Sequence, residues 1–350
     1  MARVDERRAL PRDVDVSDVG VRVALDLDGS LESLGNSMTD LADALDATGE
    51  CDLVRFHSTA RASPGDARVA LRSVWSPLWR RSRGPSLDRL LEAVDVVHVA
   101  GRATPPTHHT PLIISVDDLR PLRGESRERQ RVTQLRRAVA RGAWVVVSTR
   151  HASHEVRREL GVERDRIVVV APAVPLVRAT ANGEDLVVNV TGAVTPFLAL
   201  APRLSAFATE RGSRVVALTS ERAGQRIRAH SLGVETRARR DASAALASAR
   251  VVVHVSDGAR FPSFAIAALA AGVPTIACAT TINRELLSGA ATLTEDDAEV
   301  TAAVDALWDS PARRAIAVAA GQARAADFSP ATAARAYVAL YRNVVRGFAA

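Results

Sequence analysis

Short apolar runs alternate with amphipathic segments along most of the chain, after a charged stretch at residues 1–20. The runs are rich in valine and isoleucine, which is typical of strands buried on both faces of a parallel sheet. The predicted strands are Val21–Leu27, Val94–Ala100, Leu112–Val116, Trp144–Ser148, Ile167–Val170, Leu186–Val190, Arg214–Leu218, Val251–Val255 and Thr275–Ala277.

The segments between these runs place apolar side chains three and four residues apart, which is the spacing of one helix face. Met38, Leu41 and Leu45 show this pattern in the first such segment. The predicted helices are Ser37–Ala47, Arg127–Arg141, His151–Leu160, Ala201–Glu210, Arg222–His230, Ala242–Ala249, Phe264–Ala271, Glu299–Trp308, Ala312–Ala325 and Thr332–Val345.

Strands that alternate with helices predict parallel sheets covered on both faces. A segment rich in Pro, Ala and Gly at Ala171–Gly183 separates two such series. We therefore expect an α/β protein with two doubly wound Rossmann-like domains that face a central cleft. Their predicted bounds are 21–176 and 177–328, after a polar tail and before a C-terminal crossover helix at 329–350. Ligands of such sheets bind at the carboxyl ends of the strands, so the cleft is the expected site.

The composition narrows the class of protein. With 47% apolar and 25% charged residues, the 350-residue chain is not expected to be disordered as a whole. No apolar run reaches the ~18 residues of a membrane-spanning helix, and residues 1–18 lack the apolar core of a secretory signal. Cys51 and Cys278 predict neither a disulfide framework nor a metal site. We expect a cytoplasmic protein without metal or cofactor, with peripheral attachment to the inner face of the cell membrane as an alternative.

All 46 basic residues are arginine, and the chain contains no lysine. This excludes chemistry that needs a lysine, such as a Schiff base or a Walker-A phosphate loop. A phosphate group would have to be bound by arginine, histidine, backbone N–H groups or a metal.

The formal net charge of +6 is concentrated in the segment Arg120–Arg141. Its arginines are Arg120, Arg123, Arg127, Arg129, Arg131, Arg136, Arg137 and Arg141. Two interpretations stay open, a solvated helix face and a surface for an anionic lipid or glycan acceptor. We expect no nucleic-acid partner, because no aromatic residues for base stacking are interleaved with these arginines.

Two tryptophans lie in an arginine-rich segment before the second predicted strand. Trp75 and Trp79 could form an amphipathic face that touches a membrane. Pro77 interrupts a helix there, so an ordinary packed segment is the alternative.

Three stretches carry a resemblance to a known family. Residues 95–122 (DVVHVAGRATPPTHHTPLIISVDDLRPL) are similar to a strand, a proline turn and an "HDL" strand. Residues 144–175 are similar to "VSxxxxxxL…LGVPxxRIxVVxNGV", and residues 255–278 align without gaps with "PSxxEGFGLPxLEAMAxGxPVVAS". Together they resemble the GT-B glycosyltransferases of family 4, over about Val21 to Arg346.

This resemblance implies a GT-B fold with an acceptor-side first domain and a donor-side second domain. The implied activity is retaining transfer of a hexose from a nucleotide sugar to a cell-surface glycan or glycolipid. The family's two donor-site glutamates, however, match Ala259 and Ala267. Its diphosphate-binding Arg and Lys match Phe197 and Leu198, in the turn Gly192–Ala199.

Losing these groups weakens binding and catalysis, because stabilising the leaving diphosphate is usually the largest catalytic term. Two functions therefore stay open, an active hexosyltransferase with an atypical donor site and a catalytically inactive GT-B pseudoenzyme. The pseudoenzyme would act as the partner or regulator of a glycosyltransferase or a membrane assembly. A sugar-nucleotide epimerase is a third option, which the missing anion-binding residues disfavour.

Four charged residues are candidates for replacing the lost groups. Arg260 follows the first missing glutamate, and Arg222 follows a strand; each is either a phosphate ligand or a solvent-facing arginine. Asp117 and Asp118 end a strand, and Asp117 matches the "HDL" histidine. Paired carboxylates can act as a base, bind sugar hydroxyls or hold a metal; the alternative is a turn cap with a structural ion pair.

The resemblance also implies a set of substrate-binding positions. Gly35, Asn36 and Ser37 match the glycine turn that faces the acceptor or the diphosphate, with an ordinary strand–helix turn as the alternative. Ser148 matches the "VS" serine, and we expect it to cap a helix rather than act as a nucleophile. The predicted set is Gly35, Asn36, Ser37, Ser148, Gly192, Arg222, Ala259, Arg260, Phe261 and Ala267, with Asp117, Asp118 and Arg260 as the catalytic candidates.

Overall fold

The computed structural model describes residues 20–28, 37–57, 72–79, 83–91, 93–100, 104–124, 129–175 and 183–349. Two six-stranded sheets form the framework, and every strand pair in both is parallel. Buried side chains cover both faces of each sheet. The prediction of an α/β protein with two doubly wound units is confirmed.

The first sheet has the strand order β2-β1-β3-β4-β5-β6. Its strands are β1 (Val21–Asp26), β2 (Cys51–Phe56), β3 (Val96–Val99), β4 (Leu112–Val116), β5 (Trp144–Val147) and β6 (Ile167–Val169). The strand order reverses at β1 and β3, which is the point where such sheets open a crevice at their carboxyl ends.

The second sheet has the strand order β12-β11-β10-β7-β8-β9. Its strands are β7 (Asp185–Thr191), β8 (Val215–Thr219), β9 (Val234–Ala238), β10 (Ala249–Ser256), β11 (Thr275–Cys278) and β12 (Thr292–Thr294). Here the order reverses between β7 and β10, so the ends of these two strands mark the expected ligand crevice.

Twelve α-helices lie in the described part of the chain. They are α1 (Ser37–Asp46), α2 (Arg72–Trp79), α3 (Arg129–Ala140), α4 (Arg150–Leu160), α5 (Val194–Glu210), α6 (Glu221–Arg228), α7 (Ala242–Ser248), α8 (Ser263–Ala270), α9 (Thr281–Leu287), α10 (Asp297–Asp309), α11 (Pro311–Ala325) and α12 (Pro330–Ala349).

Helix α12 returns to the first sheet and packs against α1, β1 and β3. Tyr341 anchors it, because its hydroxyl lies 2.8 Å from Nδ1 of the buried His98. The other ring nitrogen of His98 lies 2.9 Å from Ser115 Oγ, and Tyr337 stacks on the same ring. Burial lowers the pKa of His98 to about 3, so this ring is neutral at ordinary pH. The expected crossover helix is therefore held by a buried polar contact as well as by apolar packing.

The segment with the two tryptophans is packed against the core. Trp79 is fully buried, and its indole N–H donates to the Pro85 carbonyl at 3.0 Å. Trp75 is half-buried against the same core. Of the two interpretations, the structure supports the packed segment for Trp79, whose burial leaves no surface for a lipid to contact. None of the described helices combines the length and hydropathy needed to cross a bilayer.

Candidate functional site

The carboxyl ends of the two sheets meet at two loops. The loop after β4 begins with Asp117 and Asp118, and the loop after β10 runs from Asp257 to Phe261. The Leu119 amide donates to the Ala259 carbonyl at 3.0 Å, and residues 118 and 260 form an isolated antiparallel bridge. We call these two loops the domain interface.

The Asp118 carboxylate is bound by two arginines at this interface. Arg120, on its own loop, donates through its backbone N–H and Nε to Oδ1, each at 3.0 Å, and through Nη2 to Oδ2 at 2.6 Å. Arg260, from the other domain, places Nη2 2.8 Å from the same Oδ2. The Arg260 side chain is only 15% exposed, so it is not a solvent-facing loop arginine. For Asp118 the structure supports the alternative of a turn cap with a structural ion pair.

Asp117 differs from its neighbour, since no hydrogen bond to its carboxylate is found among the described residues. Burial raises its pKa to about 6, with the opposing charge of Arg131 and the like charge of Asp118 as smaller effects. A partly buried carboxyl with such a pKa changes its protonation state at about pH 6. It can accept a hydrogen bond from a hydroxyl or take up its proton.

Arg123 makes a second link across the interface. It binds the Glu155 carboxylate through Nε at 3.0 Å and Nη2 at 2.7 Å, and it reaches the Gly258 carbonyl at 3.3 Å. His151 lies 2.8 Å from the same carboxylate. Burial acts to raise the pKa of Glu155, but Arg123 and His151 outweigh it and the pKa is lowered. Glu155 therefore stays ionised and holds Arg123 against the second domain.

A third link joins α4 to α9. The Glu285 carboxylate accepts from the backbone N–H groups of Arg150, at 2.7 Å, and His151, at 3.0 Å. These groups belong to the first turn of α4, where unpaired N–H groups and the helix dipole favour an anion. Thr149 caps the same helix by accepting from Ala152 at 2.9 Å. The expectation that Ser148 caps α4 is therefore wrong, because the helix begins one residue later than that cap would require.

At the reversal point of the second sheet, a carboxylate lies against a glycine. Gly192 follows β7 with φ at +76°, a conformation that favours glycine. A Cβ on this residue would overlap with the Asp257 carboxylate. Asp257 Oδ1 also accepts from the Ala259 N–H at 3.1 Å, which shapes the loop that carries Arg260.

Arg239 was not singled out from the sequence, yet it lies among these groups. It follows β9, and its Nη2 donates to the Val190 carbonyl at 2.9 Å. Burial lowers its pKa, and the charge of Arg120 lowers it further, while Asp257 opposes them. The charges of Arg120 and Arg239, which belong to different domains, therefore influence each other. Residues 235–240 (ETRARR) contain no apolar run, so the sequence did not predict the strand β9 that ends just before Arg239.

The remaining predicted site residues have varied surroundings. Ala259 and Ala267 are buried, and Phe261 packs edge-to-face on Phe328 with ring centroids 5.7 Å apart. Arg222 is exposed in the first turn of α6, at the carboxyl end of β8, and Ser148 is buried after β5. Gly35 and Asn36 lie outside the described residues, as does the Ser37 side chain.

The glycine turn after β7 is shorter than expected. Helix α5 begins at Val194, so Phe197 and Leu198 lie within it rather than in the turn Gly192–Ala199. Phe197 is fully buried in the core because it continues the apolar face formed with Leu200. The place that the resemblance gives to diphosphate-binding cations is thus occupied by a core side chain.

Comparison with solved structures gives matches over nearly the whole chain. HepE from Anabaena, solved with UDP and glucose, has a TM-score of 0.62 at 15% identity, over 92% of this chain and 99% of that one. WaaG, a glycosyltransferase of lipopolysaccharide biosynthesis, gives 0.63 at 14% identity, over 91% and 99%. AviGT4, a glycosyltransferase of avilamycin A biosynthesis, gives 0.60 at 19%, over 93% and 98%. The chain thus has the GT-B fold of these proteins. No protein-family model matches it, and no curated protein matches it in sequence.

Proposed function

We propose that this protein is a retaining glycosyltransferase of the family 4 type, which transfers a hexose from a nucleotide sugar to a cell-surface glycan or glycolipid. In this proposal residues 21–176 bind the acceptor, residues 177–328 bind the donor, and the C-terminal helix at 329–350 ties the two together. The reaction takes place at the domain interface. The donor site is atypical, since arginines replace the family's usual groups.

The observation that carries this proposal is the gathering of arginines at the strand ends. Arg120, Arg239 and Arg260 come from three separate loops and lie around the carboxyl ends of β4, β9 and β10. Doubly wound sheets bind nucleotides at the strand ends where the order reverses, which in the second sheet lies between β7 and β10. Arg260 follows β10, and Arg239 bonds to the Val190 carbonyl of β7. Because the chain has no lysine, arginine is the side chain available to bind a diphosphate with a permanent charge. HepE, which shares the fold, was solved with UDP-glucose as well as with UDP.

The groups at the interface suit the two ends of a nucleotide sugar. Arg239 and Arg260 would stabilise the charge that develops on the departing diphosphate, which is the main electrostatic demand of the reaction. Asp117, with its raised pKa, would accept hydrogen bonds from sugar hydroxyls. These roles need no metal ion.

The arginine-rich segment supplies the proposed acceptor side. Among its described residues, Arg120 bonds to Asp118, Arg123 to Glu155 and Arg136 to the Glu159 carbonyl. Arg137 and Arg141 are exposed near the end of α3. We propose that this end of α3 meets an anionic acceptor, such as a lipid-linked glycan at the inner face of the cell membrane.

Calorimetric titration with a panel of nucleotide sugars tests the donor site. We expect binding of at least one donor, and Arg239→Gln should weaken it by roughly tenfold, the loss of one charge-assisted hydrogen bond. Arg260→Ala should have an effect of the same size. Arg214→Gln is the matched control, because Arg214 pairs with Asp185 at the amino ends of the strands, on the opposite edge of the second sheet from the proposed site. No binding of any donor at millimolar concentration would contradict the proposal.

A second function rests on one specific contact. The direct bond from Leu119 to Ala259 joins the two loops between which a sugar would lie. This contact favours an inactive GT-B protein that acts as the partner of a glycosyltransferase or a membrane assembly. Co-purification with an active transferase, together with no turnover by the protein alone, would support it. Turnover by the isolated chain with any donor would reject it.

A further inference from the structure

One carboxylate is shared by arginines of both domains. Asp118 Oδ2 lies 2.6 Å from Arg120 Nη2 and 2.8 Å from Arg260 Nη2. The three side chains are mostly buried, with 23%, 27% and 15% of Asp118, Arg120 and Arg260 exposed. Contacts of this kind are stronger than surface ion pairs, because less water competes for the charges.

The two guanidinium groups have the arrangement of an anion site. A guanidinium presents its N–H groups in a planar fork that fits carboxylate and phosphate oxygens equally well. Arg239, bound to the Val190 carbonyl at 2.9 Å, adds a third positive charge whose field acts on the same region. A phosphate group carries more negative charge than the single carboxylate that now lies between the arginines.

We propose that Asp118 is an internal anion that occupies the phosphate site of the donor, and that a nucleotide diphosphate displaces it from Arg260. This inference rests on the proposed function, since it names which group of the donor binds there. No covalent bond forms or breaks; the arginines exchange a carboxylate for a phosphate.

The exchange also opens the domain interface. The isolated bridge between residues 118 and 260 contains the bond from the Leu119 N–H to the Ala259 carbonyl. When Asp118 leaves Arg260, this neighbouring bond loses its support. The amide hydrogen of Leu119 therefore reports directly on the state of the interface. The Glu285 carboxylate is bound by backbone N–H groups of α4 and by neither arginine of the anion site, so this second contact between the domains persists.

The test combines anion titration with hydrogen exchange, on wild type, Asp118→Asn and Arg260→Gln. The probes are inorganic pyrophosphate and UDP. Asp118→Asn should bind pyrophosphate about tenfold more tightly than wild type, because the competing charge is gone. Arg260→Gln should bind it about tenfold more weakly. Both variants should exchange the Leu119 amide faster than wild type without ligand, and pyrophosphate should speed this exchange in wild type.

The matched control is Asp185→Asn, which removes the charge of a buried carboxylate paired with the exposed Arg214, within the second domain at the opposite end of the sheet. It should change neither pyrophosphate affinity nor Leu119 exchange. The two interface variants are predicted to change affinity in opposite directions, so a general loss of folding cannot imitate the result. Equal or weaker pyrophosphate binding by Asp118→Asn overturns the inference, and so does an unchanged rate of Leu119 exchange in both variants.

The outcome also separates this inference from the proposed function. If pyrophosphate and Leu119 exchange behave as expected but no nucleotide sugar is turned over, the anion site stands and the transferase proposal fails. If nucleotide sugars bind and react, but neither Asp118→Asn nor Arg260→Gln changes their affinity, the transferase proposal stands and the internal anion is rejected.

Discussion

The Asp257 carboxylate lies directly against the α-carbon of Gly192, at the point where the strand order of the second sheet reverses. The contact joins the loop after β7 to the loop after β10, and the Asp257 N–H donates to the Thr191 carbonyl at 3.1 Å. Glycine is required at position 192 for two reasons, the positive φ and the space that the carboxylate takes.

These two reasons can be separated by substitution. Gly192→Ala should lower the free energy of unfolding by about 2–4 kcal/mol, from left-handed backbone strain together with the overlap. In an Asp257→Ala background the overlap is gone, so the same change should cost only about 1–2 kcal/mol. Urea denaturation of the four proteins in this cycle measures the difference. Equal costs in both backgrounds would show that Asp257 does not crowd Gly192.

Asp117 should make stability depend on pH. Burial raises its pKa in the folded protein to about 6, above the ordinary value for an aspartate, so folding favours the protonated carboxyl. Stability therefore falls as the pH rises from about 4 to 6, when the buried group ionises. Asp117→Asn should be more stable than wild type by about 1–2 kcal/mol at pH 8, with the advantage shrinking toward pH 4. Thermal unfolding across this range tests it, and a difference independent of pH would contradict it.

The anchor of the crossover helix can be tested at Tyr341. Removing its hydroxyl leaves Nδ1 of the buried His98 without that partner, which should cost about 1–3 kcal/mol of unfolding free energy. Phe348→Leu is a suitable control, because Phe348 is exposed near the end of the same helix. Urea denaturation gives both values. A Tyr341→Phe variant as stable as wild type would mean that apolar packing alone holds α12.

Glu285 should contribute to the closed arrangement of the two domains. Glu285→Gln keeps the size of the side chain but removes the charge at the first turn of α4, at a cost of about 0.5–1 kcal/mol. The amides of Arg150 and His151 should then exchange faster. Glu295→Gln is the control, since Glu295 pairs with Arg284 at an exposed position within the second domain. Unchanged exchange at Arg150 and His151 would contradict this role.

The central strands were predictable from the sequence, and so was the edge strand β6, whereas the edge strands β2, β9 and β12 were not. Leu112–Val116 is apolar except for Ser115 because β4 is buried on both faces, and its predicted bounds agree with the structure. The edge strands β2 (CDLVRF) and β9 (VETRA) are half-exposed and carry charged residues, so they have no apolar run to detect. Helix α5 was predicted from Ala201 onward, although it begins at Val194 and contains Pro202.

The candidate site shows a similar limit. Asp118 and Arg260 could be proposed separately from the sequence, because each follows a buried strand. The sequence could not predict that these two side chains bind each other, because they are 142 positions apart in the chain. Arg239 went unnoticed because the strand before it is an unpredicted edge strand. Sequence patterns indicate which side chains reach a sheet end, while the pairing between domains depends on how the two sheets face each other.

A crystal structure with a bound nucleoside diphosphate is the most direct test of the account. We predict that the diphosphate lies at the carboxyl ends of β7 and β10, with an oxygen within hydrogen-bond distance of Arg260 and with Asp118 turned away from that arginine. A nucleotide bound elsewhere, or an Asp118–Arg260 pair unchanged at saturating nucleotide, would contradict it.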